Sequence, residues 1–106
     1  MSISTAFRAL GDPTRRQILA VLAEGETSVS AIAGEFALSQ PAISQHLKVL
    51  RDAGLVRVRP HAQQRLYSVN AEEVAEAGAW MLRMSGLWDK RLDALEAQLL
   101  AKRQKP

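Results

Sequence analysis

Residues 38–56 decide the fold of this chain, and they read LSQPAISQHLKVLRDAGLV. Ser39 is a favourable N-cap for a helix, and Gly54 suits the left-handed conformation in which many helices end. Between these limits the apolar residues recur at helical spacing, at Ile43, Leu47 and Leu50. The segment therefore predicts a helix over residues 40–53 that is buried along one face and exposed along the other.

Two helices and a short third helix are predicted before this one. The first begins the chain, where apolar residues follow helical spacing. Asp12 and Pro13 then supply an N-cap and a proline at the first helical position, which start a second helix that stops near Gly25. A short third helix contains residues 31–36, and residues 37–38 form the tight turn that leads into the next helix.

A hairpin and a long helix are predicted after it. Apolar and basic residues alternate over residues 55–60, and residues 65–69 form a second short strand, so residues 61–64 connect the two. Asn70 then caps a last helix, with Glu73 three residues on as its capping partner. This order of elements is that of a helix-turn-helix followed by a wing. The expected fold is therefore mainly α with a small two-stranded β-wing, a winged helix-turn-helix.

The composition indicates one globular domain over residues 1–106. Apolar residues make up 47% of the chain and charged residues 24%, and there is no cysteine. Disulfides, thiolate metal sites and cysteine nucleophiles are thereby excluded. No apolar run approaches the roughly 18 residues that a membrane span needs, and the N-terminus lacks the pattern of a signal peptide. We therefore expect a cytoplasmic protein that has no membrane partner.

Positive charge is concentrated in the middle of the chain. The net charge of the whole chain is +3, but residues 39–67 alone hold five Lys or Arg against one Asp. Residues 70–106 hold six charges of each sign. A local excess of this kind indicates a surface for a polyanion, although an ordinary solvated surface can carry it too.

The exposed face of the second helix of the helix-turn-helix carries groups that can contact DNA. Gln40, Ser44 and Lys48 follow one another at intervals of four residues, Gln45 flanks them, and the face is nearly free of acid. Glutamine can bond adenine, serine can bond base edges or phosphate, and lysine can bond phosphate or guanine. The face is thus typical of a recognition helix in the major groove, whereas ordinary solvated faces usually mix Glu with Lys.

The predicted hairpin is basic and polar. Arginines on the outward face of a hairpin can hold phosphates or enter a minor groove. Charged residues also protect an exposed strand edge against aggregation, and both roles are compatible. Together with the helix face, the predicted DNA-binding set is Ser39, Gln40, Pro41, Ser44, Gln45, Lys48, Arg57, Arg59, His61, Gln64 and Arg65.

Two segments resemble a known family. Residues 7–19, FRALGDPTRRQIL, resemble the opening of the ArsR/SmtB family of winged helix-turn-helix bacterial repressors, and residues 38–56 resemble its turn and recognition helix. The resemblance covers about residues 7–70. It implies a homodimer that binds a palindromic operator and represses transcription, often of its own operon. It also implies DNA contact by Gln40, Ser44, Gln45, Lys48, Arg59 and Arg65.

The chain departs from the metal-sensing members of that family. Those members hold Cys-x-Cys in or near the third helix, where this chain has Ser28-Val29-Ser30, and others use histidines of the last helix, which here has none. The chain therefore resembles a cysteine-poor branch, and we expect no metal and no cofactor. The wing tip of the family usually has a glycine, whereas residues 61–64 have none.

The last helix carries an apolar stripe that is too long for the rest of the chain to cover. A helix over residues 71–102 is about 48 Å long, and its stripe is spaced by three and four residues throughout. Packing on the chain's own first helix covers only part of it. We therefore expect a two-fold dimer, with dimerisation helices over residues 1–11 and 71–102 and a DNA-binding core and wing over residues 12–70. The predicted dimer contacts are Ile3, Phe7, Leu10, Ala77, Trp80, Met81, Met84, Trp88, Leu92, Leu95 and Leu99.

The function we predict is that of a dimeric repressor that binds double-stranded DNA at an inverted-repeat operator. The alternative is a winged-helix module that binds another protein through its tryptophan-bearing last helix and does not bind DNA. An enzyme is not indicated, since no nucleophile triad, carboxylate pair or phosphate-binding glycine loop is visible. A small apolar inducer that enters the dimer seam around Trp80, Met81, Met84 and Trp88 is left open, and the sequence does not identify it.

Overall fold

The computed structural model describes residues 2–103 of the chain, apart from the side chain of Trp88. In chain order its elements are α1 (Ile3–Leu10), α2 (Pro13–Glu24), β1 (Thr27–Ser28), α3 (Val29–Phe36), α4 (Gln40–Asp52), β2 (Val56–His61), β3 (Gln64–Val69) and α5 (Ala71–Arg103). The predicted winged helix-turn-helix is confirmed, because α3 and α4 form the helix-turn-helix and the β2–β3 hairpin forms the wing.

The sheet has three strands, one more than the sequence predicted. β1 pairs antiparallel with β3, which also pairs antiparallel with β2, so β3 is the central strand. Thr27 lies opposite Tyr67, and Ser28 lies opposite Leu66. The prediction of a two-stranded sheet was incomplete because β1 has only two residues, too few to show an alternating pattern. It forms only through pairing with a strand that is distant in the chain.

The wing turn is shorter than predicted. His61 pairs with Gln64, so both strands continue to the tip and only Ala62 and Gln63 remain between them. Ala62 has a φ of 54°, in the left-handed region that two-residue hairpin turns use and that glycine or asparagine usually occupies. The predicted four-residue connection was therefore wrong, although the hairpin itself is confirmed.

Polar caps and one left-handed residue fix the position of the helix-turn-helix. Asp12 Oδ1 accepts a hydrogen bond from the backbone N–H of Thr14 at 2.8 Å and so caps α2. Ser39 Oγ accepts one from the backbone N–H of Ala42 at 3.2 Å and so caps α4. Ala37, with a φ of 53°, makes the reversal between α3 and α4. These are the local choices that the sequence predicted for the starts of α2 and α4.

The hydrophobic core fixes the orientation of α4. The fully buried large side chains are Ile18, Ile32, Ile43, Leu47, Leu50 and Leu55, and they include the whole stripe predicted for α4. Each such side chain contributes about 1.5–3 kcal/mol on burial. Because one side of α4 is inserted into the core, the opposite side is held in solvent with a fixed orientation.

Asn70 joins the end of α4 to the start of α5, and it does so differently from the prediction. Its backbone carbonyl accepts the first helical hydrogen bond from Val74 N at 3.1 Å, so α5 begins where expected. Its side-chain Nδ2, however, donates to the carbonyl of Gly54 at 3.0 Å, and its backbone N–H donates to the carbonyl of Leu55 at 2.8 Å. Its Oδ1 is buried without a hydrogen-bond partner among the described residues, so the predicted side-chain cap was wrong.

The long helix α5 begins on the body of the molecule and then extends beyond it. Ala77 is buried against α1, and the ring of Trp80 lies 5.3 Å from that of Phe7 at an angle of 59°. The 33 residues of α5 span about 50 Å at 1.5 Å per residue, which accounts for much of the 77 Å length of the molecule. Within residues 2–103, no helix combines the length and the apolar character that crossing a membrane requires.

Candidate nucleic-acid interface

The solvent-facing side of α4 is mostly polar, with Val49 as its exposed apolar residue. Gln40, Ser44, Gln45 and Lys48 are all exposed, opposite the buried stripe of the same helix. Lys48 forms only a loose pair with Asp52, at 3.9 Å between Nζ and Oδ2, and both side chains are about 70% exposed (74% and 68%). Such a pair contributes little to stability, so the Lys48 ammonium is free to exchange its partner.

Two further predicted residues of α4 lie at its start. Ser39 is exposed, and its hydroxyl is engaged as the N-cap of the helix. Pro41 is exposed in the first turn, where its missing N–H leaves no donor unpaired. Ser39 therefore holds the start of α4 in place, and its hydroxyl oxygen can still donate its proton to a nearby phosphate.

A cleft separates α4 from the wing, and cations line it. One part of the cleft, about 320 Å³ in volume, is lined by Ser44, Lys48, Arg51, Asp52, Arg65 and Tyr67. The adjoining part, about 280 Å³, is lined by Arg51, Val58, Arg59, Pro60 and Arg65. The structure thus brings the predicted residues Ser44, Lys48 and Arg65 together around one opening.

Arg51 was missed when the candidate residues were chosen from the sequence. It is exposed on α4 and lines both parts of the cleft together with Arg65. The signal that could have found it was its position, three residues after Lys48 and therefore on the same side of the helix. Which side of α4 faces the wing depends on tertiary packing, however, and no local pattern shows it.

The arginines of the wing lie on two different faces of the hairpin. Pro60 pairs with Arg65 and Val58 pairs with Tyr67, so Arg65 shares the face of Tyr67 that turns towards α4. Arg57 and Arg59 alternate with Val56 and Val58, so their side chains leave the opposite face, although Arg59 also lines the smaller part of the cleft with Arg51 and Arg65. The remaining predicted wing residues, His61 and Gln64, are exposed at the tip.

On that opposite face, Arg59 is held by a carboxylate of its own chain. Its Nε donates to Glu26 Oε2 at 2.8 Å and its Nη2 donates to Glu26 Oε1 at 2.7 Å, a two-bond ion pair between residues 33 apart in the sequence. These hydrogen bonds lower the pKa of Glu26 below its ordinary value and raise the pKa of Arg59 above its own. Glu26 was not recognised from the sequence, because the pair is brought together only by the three-stranded sheet.

The predicted dimer contacts fall into two groups. Ile3, Phe7 and Leu10 of α1 are half-buried, Met84 is half-buried, and Ala77 is already buried against its own α1. Along the rest of the stripe the side chains are exposed, and Met81, Leu92, Leu95 and Leu99 are each more than half exposed. The Trp88 side chain lies outside the described residues. Leu82, Leu87 and Leu100 are further exposed leucines of α5.

Neither a metal cluster nor room for a small ligand between α1 and α5 is found among the described residues. Among residues 2–103, no group of three or more His, Cys, Asp or Glu is placed to hold a metal ion. The cavity between α1 and α5, lined by Ile3, Ala6 and Ala77 among others, measures about 20 Å³. That volume is close to the minimum that one water molecule needs, so a single subunit provides no inducer site there.

Comparison with known proteins agrees with this geometry. Residues 12–58 match the family model described as bacterial regulatory protein, arsR family. The chain is also 34% identical to the transcriptional repressor SdpR of Bacillus subtilis (strain 168) over 90 residues, which cover 85% of this chain and all of that relative. The chain belongs to the ArsR family. The ArsR family is one of regulatory proteins and not of enzymes, as the absence of catalytic signals in the sequence predicted.

Solved structures of ArsR-like proteins share the fold. An ArsR-like transcriptional regulator from Rhodococcus sp. RHA1 superimposes with a TM-score of 0.77 at 30% identity and covers 90% of both chains. A homodimeric winged helix-turn-helix DNA-binding domain from Mycobacterium bovis superimposes with a TM-score of 0.67 at 31% identity, over 79% of this chain and 78% of that one. The similarity to the Rhodococcus structure extends beyond the residues of the family model.

Proposed function

We propose that this ArsR-family protein is a dimeric transcriptional repressor that binds an inverted-repeat operator, including one upstream of its own gene. The observation that supports this most strongly is the exposed polar side of α4, which lies beside a cleft lined by Lys48, Arg51 and Arg65. A surface that combines hydrogen-bonding side chains with clustered cations suits the edges of bases and the phosphates around them. Such a repressor acts in the cytoplasm.

The exposed side chains in the N-terminal half of α4 would contact the bases. Gln40 and Gln45 present amide groups that can bond adenine through two hydrogen bonds, and Ser44 presents a hydroxyl to base edges or phosphate. All three lie in the N-terminal half of α4, the part of a recognition helix that enters the major groove. Substitution of either glutamine should therefore relax sequence preference more than it lowers affinity for DNA in general.

The cations around the cleft would bind the sugar–phosphate backbone. Lys48, Arg51 and Arg65 surround an opening between two protruding elements, α4 and the wing. Phosphate contacts position a protein on the duplex without reading its sequence, and each contact adds about 0.9 to the slope of log affinity against log salt. Loss of one such cation should weaken binding to every duplex and reduce that slope.

The exposed stripe of α5 supplies the surface for a second copy. Leu92, Leu95 and Leu99 follow one another at helical spacing and are exposed in the subunit, a pattern that soluble proteins usually cover. The related Mycobacterium bovis domain is homodimeric. We assign residues 1–11 and 71–102 to the dimer layer and residues 12–70 to DNA binding. Two-fold symmetry would then set the two α4 helices about 34 Å apart, one turn of DNA.

A mobility-shift titration tests this function on the duplex upstream of the gene and on a scrambled duplex of the same length. The wild-type protein should bind the upstream duplex more tightly, and Lys48→Ala should weaken binding to both. Lys90→Ala is the matched control, because Lys90 is also an exposed lysine and lies on α5, away from the residues that line the cleft. Equal affinities of the wild-type and Lys48→Ala proteins would refute this docking. A monomer without DNA affinity would instead support the protein-binding alternative.

A further inference from the structure

The ion pair between Glu26 and Arg59 uses the two donors with which Arg59 could otherwise bind a phosphate. The Nε and Nη2 of Arg59 donate in parallel to the two carboxylate oxygens of Glu26, at 2.8 and 2.7 Å. Arginine binds phosphate oxygens through the same pair of donors and with the same geometry. The carboxylate thus occupies one full edge of the guanidinium and cancels its charge.

The sheet places the two residues so that this pairing is reached easily. In one row across the sheet, Arg59 lies opposite Leu66, and Leu66 lies opposite Ser28 at the end of β1. Glu26 immediately precedes β1, so its carboxylate sits at the far edge of the sheet, where the Arg59 side chain reaches across the central strand. The side chain of Glu26 is 30% exposed and that of Arg59 is 55% exposed, so the guanidinium remains open to solvent.

We propose that Glu26 determines the DNA affinity of this protein by withholding Arg59 from the phosphate backbone. The proposal rests on the proposed function, and it gives Arg59 a different role from the one predicted by the sequence. The wing would bind DNA through Arg65, next to Arg51 and α4. Arg59 borders the same cleft, but its guanidinium stays paired with Glu26. Loss of the carboxylate would release a cation at the wing and add one phosphate contact.

The direction of the effect distinguishes this role from a structural one. If Glu26 only stabilised the wing, its removal would loosen the hairpin and weaken DNA binding. If Glu26 withholds Arg59, its removal strengthens DNA binding, and the gain depends on Arg59. A phosphate contact carries no sequence information, so the gain should be the same on specific and random duplexes.

The experiment measures the affinity of Glu26→Gln for the upstream duplex and for a random-sequence duplex over a series of salt concentrations. We expect affinity for both to rise about threefold to tenfold, with the slope of log affinity against log salt steeper by about 0.9. Glu24→Gln is the matched control, because this substitution removes the same charge two residues away. Glu24 itself is exposed and forms no ion pair with any described residue. Glu26→Ala serves as a second variant in case the glutamine retains one hydrogen bond to Arg59.

A double-mutant cycle completes the test. In the wild-type background, Arg59→Ala should change affinity by less than about twofold, whereas in the Glu26→Gln background it should remove the whole gain. The inference is overturned if Glu26→Gln binds no more tightly than Glu24→Gln, or if Arg59→Ala weakens both backgrounds equally. If the wild-type protein binds neither duplex, the proposed function itself fails, and the inference fails with it.

Discussion

Replacement of Arg15 by alanine should weaken the attachment of α1 to α2. The Nε of Arg15 donates to the carbonyl of Ala9 at 2.6 Å, and its Nη2 donates to the carbonyl of Arg8 at 3.3 Å. Both carbonyls lie in the last turn of α1, and that of Arg8 also accepts a hydrogen bond from the backbone N–H of Gly11 at 3.2 Å. The side chain is only 16% exposed, and its Nη1 lies 4.0 Å from Asp12 Oδ2. Arg15 is thus the less exposed of two arginines of α2 that donate to the C-terminal carbonyls of α1.

The expected loss follows from these contacts. A hydrogen bond from a charged donor contributes about 1.5–3 kcal/mol, and the longer, exposed bond to Arg8 adds less than the short bond to Ala9. Arg15→Ala should therefore lower the free energy of unfolding by about 2–4 kcal/mol, or the melting temperature by about 8–16 °C. Arg15→Lys should lower the free energy of unfolding nearly as much as Arg15→Ala, because a single ammonium cannot reproduce the planar set of guanidinium donors.

Urea unfolding followed by circular dichroism measures this loss. All variants are compared at one protein concentration, since dimerisation would make stability depend on concentration. Arg16→Ala is the matched control, because Arg16 makes a single exposed hydrogen bond, from Nη1 to the carbonyl of Leu10 at 2.7 Å. Arg16→Ala should lower the free energy of unfolding by only about 0.5–1 kcal/mol. Equal losses for Arg15→Ala and Arg16→Ala would refute the role given to Arg15.

Three further outcomes are expected. The pKa of Asp12 is lowered, chiefly because its carboxylate accepts a hydrogen bond from the backbone N–H of Arg15. The contribution of Asp12 to the free energy of unfolding is therefore full above about pH 4 and is lost as the pH falls through the folded-state pKa. Asp12→Asn keeps the cap and should flatten the loss of stability on acidification, as urea unfolding at a series of pH values would show. Light scattering should show monomers for Leu95→Asp and an intact dimer for Leu82→Asp. Both leucines are exposed, but Leu82 lies about 220° around α5 from Leu95. Arg51→Ala should weaken binding to all duplexes and lower the salt slope by about 0.9, and an unchanged slope would remove Arg51 from the interface.

Local patterns in the sequence were sufficient to predict the helices and the presence of the hairpin. The caps at Asp12 and Ser39 and the stripe of α4 act between neighbouring residues, so their spacing alone predicts where a helix begins and which side is buried. The polar side of α4 follows from the same periodicity. These features occur in the structure where the sequence placed them.

Features that depend on contacts between distant residues could not be predicted in this way. β1 is a strand only because Thr27 pairs with Tyr67, and Arg59 meets Glu26 only because that pairing builds the sheet. Asn70 fits the pattern of a helix cap, yet its amide bonds the Gly54 carbonyl instead, because the end of α4 packs beside it. The partner of each of these groups is fixed by tertiary structure, which residue spacing does not encode.

Light scattering on the complex with the upstream duplex tests most directly whether two copies bind one DNA through α4. Two chains should bind each duplex, and Lys48→Ala should lower the fraction of duplex bound at a given protein concentration, whereas Lys90→Ala should not. One chain per duplex, or a complex that persists unchanged with Lys48→Ala, would contradict the proposed dimer and its mode of binding.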